Sequence, residues 1–250
     1  MMQARDRLIV ALDVPTEDEA LSLVVQLREH VGLFKIGLEL LSSAGVGVVR
    51  KVSELGGAVF LDGKFHDIPN TVAGASRAAT RLAVRMFNVH AMGGIDMMRA
   101  ALKAADSEAS AHGGRRPLVL GVTILTSIDQ ESMNRQLRIP GDIETQVVHL
   151  AKLAGEAGLD GVIASPVEIE AIRRCVPRER LIVTPGVRPR WAAAQDQKRI
   201  MTPREAILRG ASYLVLGRPI TAPPPDIGSP VDAAKRVLEE IAAALESKED

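Results

Sequence analysis

The stretch "LIVALDVPTEDEALSLVVQLREHVGLFKIGL", residues 8 to 38, sets two short apolar runs on either side of an amphipathic segment. The runs, "LIVAL" from 8 and "LFKIGL" from 33, are almost continuously hydrophobic. That suits strands covered on both faces by helices, although such runs taken alone also fit buried helix. The segment between them decides the matter. Thr16 and Glu19 stand in capping-box spacing, and Leu23, Val24 and Leu27 follow at helical intervals. The reading is strand, helix, strand, and it recurs along the chain. Further runs are "AVFLD" from 58, "VRMFNVH" from 84, "LVLGVTIL" from 118, "GVIAS" from 161, "LIVTP" from 181 and "YLVLG" from 213, which makes eight candidate strands. After the last, Ser229 reads as an N-cap and Pro230 as the first helical residue, with Val231, Ala234, Val237, Leu238, Ile241 and Leu245 along one face. Eight such units in 250 residues predict an α/β fold, one (β/α)8 TIM barrel spanning residues 1–250 as a single domain. A doubly wound open sheet is the alternative. Residues 107 to 117, 188 to 203 and 221 to 230 read as loops, because Gly, Pro and polar residues interrupt the periodicity.

Composition narrows the function classes. Lys plus Arg and Asp plus Glu are both 31, so no overall basic field points to nucleic acid and no acidic tail to a solvating segment. Cys175 is the only cysteine, which excludes an intrachain disulfide and any cysteine-rich metal site and fits a reducing cytoplasm. The apolar run at the N-terminus, Leu8 to Leu12, is too short for a signal-peptide core or a membrane span.

In a barrel, active sites collect where the strands end, so the polar residue closing each apolar run is the place to look. Those residues are Asp13, Lys35, Asp62 with Lys64, Asn88 with His90, Thr123 with Thr126, and then Arg188 and Arg218. Asp13 reads equally well as a helix-entry or turn residue. Lys35 lies inside an apolar run and needs a counter-charge, as a structural ion pair or as part of a site. Asp62 and Lys64 are two apart, so in extended backbone they point to the same side, toward the barrel mouth, with the small Gly63 between them. Asp67 follows, and "DIPNT" reads as a turn because Pro69 lacks an N–H and biases Ile68 toward extended geometry. Alternating acid and base would hold the lysines rigid and charged, making Lys64 a proton donor; a solvated salt-bridge cluster is the plainer reading. Barrels often hold phosphate on the loops after strands seven and eight, here "TPGVRPR" and "LGRPI". Gly186 and Gly217 allow close backbone approach there, and Arg188 and Arg218 offer forked donors. Gln197, on the long loop before strand eight, reads as a lid residue or as an ordinary solvated glutamine.

The segment "LDGKFHDIPNT", with "ALDV", "FKIGLEL", "GVTILTS", "TPGVRP", "DQKRIMTP" and "LGRPIT" in order, resembles the orotidine 5'-phosphate decarboxylase family from about Asp13 to Thr221. The aspartate-lysine-aspartate pattern alone is also similar to 3-keto-L-gulonate 6-phosphate decarboxylases and hexulose-phosphate synthases. The resemblance implies a cofactor-free, metal-free decarboxylation of orotidine 5'-monophosphate. It implies that Lys64 protonates C6 of the pyrimidine, that Asp62 lies against the departing carboxylate, and that Lys35 and Asp67 complete the array. Asp13 and Lys35 would hold ribose hydroxyls, assisted by Thr71. Thr126 would face the ring and Pro185 would line the site, while Arg188, Gln197, Gly217 and Arg218 would take the phosphate. It further implies a homodimer in which Asp67 and Thr71 reach the neighbouring site.

Loss of carbon dioxide from C6 leaves electrons in an in-plane orbital that the ring π-system cannot delocalise, which puts a premium on fixed charge. Two other readings stay open, and a third is disfavoured. They are a metal-dependent sugar-phosphate decarboxylase or aldolase, a barrel that binds a phosphate ligand without turnover, and a Schiff-base lysine enzyme. The last is disfavoured because adjacent carboxylates raise a lysine's pKa.

Overall fold

Each apolar run becomes a strand, and the segments between them become helices. The computed structural model describes residues 2–192 and 201–247. The strands are β1 (Leu8–Ala11), β2 (Leu33–Ile36), β3 (Val59–Phe65), β4 (Met86–His90), β5 (Leu118–Val122), β6 (Gly161–Ile163), β7 (Leu181–Pro185) and β8 (Tyr213–Leu216). Every neighbouring pair is parallel, and β8 returns to β1 with Leu214 opposite Leu8, so the sheet closes into a barrel. The open-sheet alternative is thereby excluded. Around it run α1 (Glu17–Leu27), α2 (Leu38–Ala44), α3 (Gly47–Glu54), α4 (Pro69–Arg81), α5 (Gly94–Ala111), α6 (Ile143–Glu156), α7 (Ile169–Arg173), α8 (Pro203–Arg209), α9 (Arg218–Thr221) and α10 (Pro230–Glu246). Among the described residues no helix is long and apolar enough to cross a membrane.

The pleat sorts the core into two layers. Ile9, Ala11, Leu33, Phe60, Met86, Leu120, Val183, Tyr213 and Val215 fill the barrel interior. Strand residues of the opposite parity, such as Leu8, Val10, Phe34, Leu61 and Phe87, pack outward against the helices. This parity also positions the chemistry. Two residues beyond Ala11, Leu33, Phe60 and Met86 come Asp13, Lys35, Asp62 and Asn88, each continuing the inward row at the C-terminal mouth.

Four local readings need correction. Residues 107 to 111 are helical, because α5 continues to Ala111: Glu108 and Ala109 are buried, and Glu108 accepts hydrogen bonds from Arg81 of α4. Tertiary pairing there overrides the loop-like composition. The "DIPNT" segment is not a free turn; Ile68 is extended and Pro69 opens α4 as its first residue. Thr16 caps α1 by accepting from the Glu19 N–H at 3.3 Å, which is only half of the expected box. Reciprocal boxes form instead at Thr202 with Glu205 and at Ser229 with Asp232. Finally, β3 does not run as plain extended strand through Lys64. Its register with β4 passes from Leu61 opposite Phe87 to Phe65 opposite Val89, and Lys64 has φ 46°. Asp62 and Lys64 therefore meet across a left-handed bulge rather than by simple alternation.

Candidate active site

At the barrel mouth a chain of alternating charges runs from β1 to β3. Lys35 Nζ donates to Asp13 Oδ1 at 2.8 Å and lies 3.3 Å from Asp62 Oδ2. Lys64 Nζ donates to Asp62 Oδ1 at 2.7 Å. Asn88 on β4 completes the array, its Nδ2 donating to the same Asp62 Oδ1 at 2.6 Å. Lys35 and Asp62 side chains are 11% and 10% exposed, while that of Lys64 is 30% exposed and reaches the opening. Asp62 is thus the buried hub, and Lys64 is the more exposed of the two lysines paired with it.

The electrostatics follow from this arrangement. Burial pushes the Asp62 carboxyl up, but Lys35 and Lys64, with hydrogen bonds from Lys64 and Asn88, outweigh it and hold the group below the usual carboxylate range. Burial likewise pushes Lys35 down, and Asp62 and Asp13 reverse this, so its ammonium is held above the usual lysine value. Burial, His66 and Lys64 together lower His90, whose ring lies 5.3 Å from that of His66. A depressed Asp62 contributes stability that is fully present above the ordinary carboxyl value of about 3.9 and is lost as pH falls through the lower folded value. A raised Lys35 contributes stability present below about 10.4 and lost as pH rises through the higher folded value. The unfolding midpoint in denaturant should therefore fall steeply below about pH 4, and Asp62→Asn should flatten that acid limb. An identical acid limb in the variant would contradict the assignment.

Over this array opens a cavity of about 270 Å3, lined by Asp13, Lys35, Asp62, Lys64, Thr126 and Pro185 among others. A second, of about 350 Å3, shares Asp13 and Val215 with it and is lined by Gly186, Arg188, Gly217 and Arg218. The two form one groove, with a charged and partly apolar end at β2 and β3 and a guanidinium-rich end at β7 and β8. Among the described residues neither Arg188 nor Arg218 is ion-paired with a carboxylate, which leaves both free for an anion. Gly186 has φ 79°, a conformation that glycine adopts without strain and that turns the chain before Arg188. A larger cavity of about 680 Å3 lies at the other end of the barrel, beside Arg7, Arg173 and Ser212, away from these groups.

Most of the expected residues converge here. Asp67 and Thr71 do not: both are exposed and neither lines this chain's groove, and the Asp67 carboxylate accepts from the Ile68 N–H instead. Gln197 lies outside the described residues. Two contributors carried no assigned role in the sequence reading. Asn88 was visible as a polar strand end, but its two partners were not. Gly37 lies under the lysine: a Cβ there would stand 2.9 Å from Lys35 Nζ and 3.4 Å from Asp13 Oδ1, so any larger residue would displace the ammonium.

Comparison with known proteins agrees with this architecture. Residues 6–237 match the model of the "Orotidine 5'-phosphate decarboxylase / HUMPS family". The chain is 51% identical to an orotidine 5'-phosphate decarboxylase of Heliobacterium modesticaldum over 98% of its length and 99% of the relative's. It is 53% identical to that of Moorella thermoacetica, over 96% of this chain and 94% of the relative. A crystal structure of orotidine 5'-phosphate decarboxylase from Lactobacillus acidophilus superposes with a TM-score of 0.82 at 35% identity, covering 94% of this chain and 98% of the other. With the family match extending over nearly all of the barrel and relatives about half identical at full length, the chain belongs to the orotidine 5'-phosphate decarboxylase / HUMPS family.

Proposed function

We propose that this protein converts orotidine 5'-monophosphate to uridine 5'-monophosphate and carbon dioxide, the last step of de novo pyrimidine biosynthesis, in the cytoplasm and without a cofactor. The observation that carries the reading is the fixed Asp13, Lys35, Asp62, Lys64 chain opening into a groove that ends at Arg188 and Arg218, neither ion-paired among the described residues. A substrate with a phosphate at one end and an anionic ring carboxylate at the other fits that polarity.

In this mechanism the substrate's 5'-phosphate lies between Arg188 and Arg218 beside the Gly217 backbone, with Gln197 as a further donor to it. Asp13 and Lys35 hold the ribose hydroxyls. Thr126 and Pro185 flank the pyrimidine, which sets C6 beside Lys64. The bond from C6 to the carboxylate breaks and its electron pair stays on C6. The Lys64 ammonium, already fixed by Asp62, stabilises that charge without waiting for reorganisation and then transfers a proton to it, giving the C6–H bond of the product. The neutral lysine regains a proton from solvent. Asp62 meets the substrate carboxylate with like charge and so favours its departure. Binding energy at the phosphate, remote from C6, supports the chemical step.

The exposed Asp67 and Thr71 act, in this reading, in the groove of a second copy in a homodimer, since neither serves the groove of its own chain. Lys35 places its ammonium between Asp13 and Asp62, where a metal-dependent sugar-phosphate enzyme would need free carboxylates for a divalent cation. Turnover measured with orotidine 5'-monophosphate and, separately, with keto-sugar phosphates plus Mg2+ separates the two chemistries; activity confined to the sugar phosphates would overturn the proposal. At the other end of the groove, Arg218→Ala removes charge-assisted hydrogen bonds worth about 1.5–3 kcal/mol, so KM should rise roughly 10- to 100-fold. An unchanged KM would remove Arg218 from the phosphate site.

A further inference from the structure

The bulge that presents Lys64 is tied to a side chain on the next strand. Between its matched positions with β4, β3 takes four steps from Leu61 to Phe65 while β4 takes two from Phe87 to Val89, which leaves the Lys64 N–H without a ladder acceptor. Asn88 supplies one: the Lys64 N–H donates to Asn88 Oδ1 at 2.7 Å. The other half of the same amide donates to Asp62 Oδ1 at 2.6 Å, and that oxygen also accepts from Lys64 Nζ at 2.7 Å. Backbone and ammonium of one lysine are thus fastened to a single amide-carboxylate pair, forming a closed ring. Asn88 is fully buried, and the residue before it and the residue after it pack into the core, so the ring has a rigid base. The position requires an acceptor facing an N–H and a donor facing a carboxylate on one planar group, which an asparagine provides and an aspartate does not.

We infer that Asn88 is a positioning residue for the proton-donating lysine, holding Lys64 in its left-handed conformation and aiming its ammonium at the reacting carbon. The inference rests on the decarboxylase reading. Asn88 lines neither part of the groove, so it acts through Lys64 and Asp62 and leaves the phosphate and ribose contacts untouched.

Two variants test it in the full-length protein with orotidine 5'-monophosphate. Asn88→Ala frees the bulge; kcat should fall about 100-fold, as for a misplacement on the order of 1 Å. Its KM should stay within about 3-fold, because ground-state contacts remain. Asn88→Asp keeps the size and the acceptor toward Lys64 but sets a second carboxylate against Asp62, with Lys35 and Lys64 on one side and His90 two residues along β4. The two carboxylates then share one proton, so this variant should lose kcat progressively as pH rises and approach the parent at acid pH. A purely structural asparagine would lower stability without moving the pH profile of kcat. Parent-like kcat in Asn88→Ala, or a parent-like pH profile in Asn88→Asp, would overturn the inference. If Asn88→Ala does not fold by circular dichroism, the Asn88→Asp profile decides alone; if neither folds, Asn88 belongs to the core and the inference fails. A parent enzyme inactive on orotidine 5'-monophosphate would instead defeat the functional reading on which this one stands.

Discussion

Lys64→Ala is expected to lower kcat by at least roughly 10⁴-fold, since the proton donor and the charge that stabilises C6 are each worth about 10²–10⁴ and 10²–10³ in rate. Binding of uridine 5'-monophosphate should persist within a few-fold, because Arg188, Arg218, Asp13 and Lys35 are unchanged and Lys64 makes no contact with them beyond its shared partner Asp62. The fold should survive as well. Asp62 keeps Lys35 and Asn88 as partners, and the lost pair involves a lysine side chain that is 30% exposed, where ion pairs contribute little. Steady-state turnover together with a product-binding titration makes the check. Near-normal turnover would mean that another group delivers the proton. Loss of binding in parallel with turnover would mean that Lys64 holds substrate rather than drives chemistry.

Asp62→Ala should be the more damaging change to the molecule as a whole. Removing this carboxylate leaves the Lys64 ammonium without its anion, leaves Lys35 with Asp13 alone, and leaves the Asn88 Nδ2 donor buried without an acceptor. Breaking a buried pair by deleting one partner costs about 3–5 kcal/mol. For a barrel of this size that corresponds to a drop in Tm of roughly 6–20 °C. Catalysis should fall with it, by about 10²–10³-fold in kcat, because the charge that orients Lys64 is gone even though the lysine remains. Thermal unfolding and kcat measured on the same preparation test both halves. An unchanged Tm would show that Asp62 is not the hub of the array, and a large loss of Tm with parent-like kcat would reduce it to a structural role.

How much of this was legible in the sequence depends on the range of the interaction involved. All eight strands were legible as apolar runs because each is covered on both faces, and the helices between them carried a local period or a cap, as Ser229 and Pro230 do for α10. The placement of Lys35 and Asp62 at the barrel mouth was legible for the same reason. Lys35 and Asp62 break apolar runs at positions that continue the inward row of Leu33 and Phe60. What escaped depends on contacts between distant segments. The last turns of α5 form because Glu108 finds Arg81 twenty-seven residues away, which no local pattern announces. The bulge at Lys64 depends on the side chain of Asn88 in the next strand, and the restriction at Gly37 exists only because Lys35 folds over it. Asp67 and Thr71 show the opposite limit: their motif was recognisable by resemblance, yet a single chain gives them no partner in its own groove.

The most direct test of the account is turnover of orotidine 5'-monophosphate by the purified protein after exhaustive EDTA treatment and dialysis, followed by the ultraviolet change as uridine 5'-monophosphate forms. The account predicts rapid conversion, undiminished by removal of metal, because Lys35, Asp62 and Lys64 supply all the charge the step uses. Bound substrate that is not converted, or conversion that returns only when Mg2+ is restored, would contradict it.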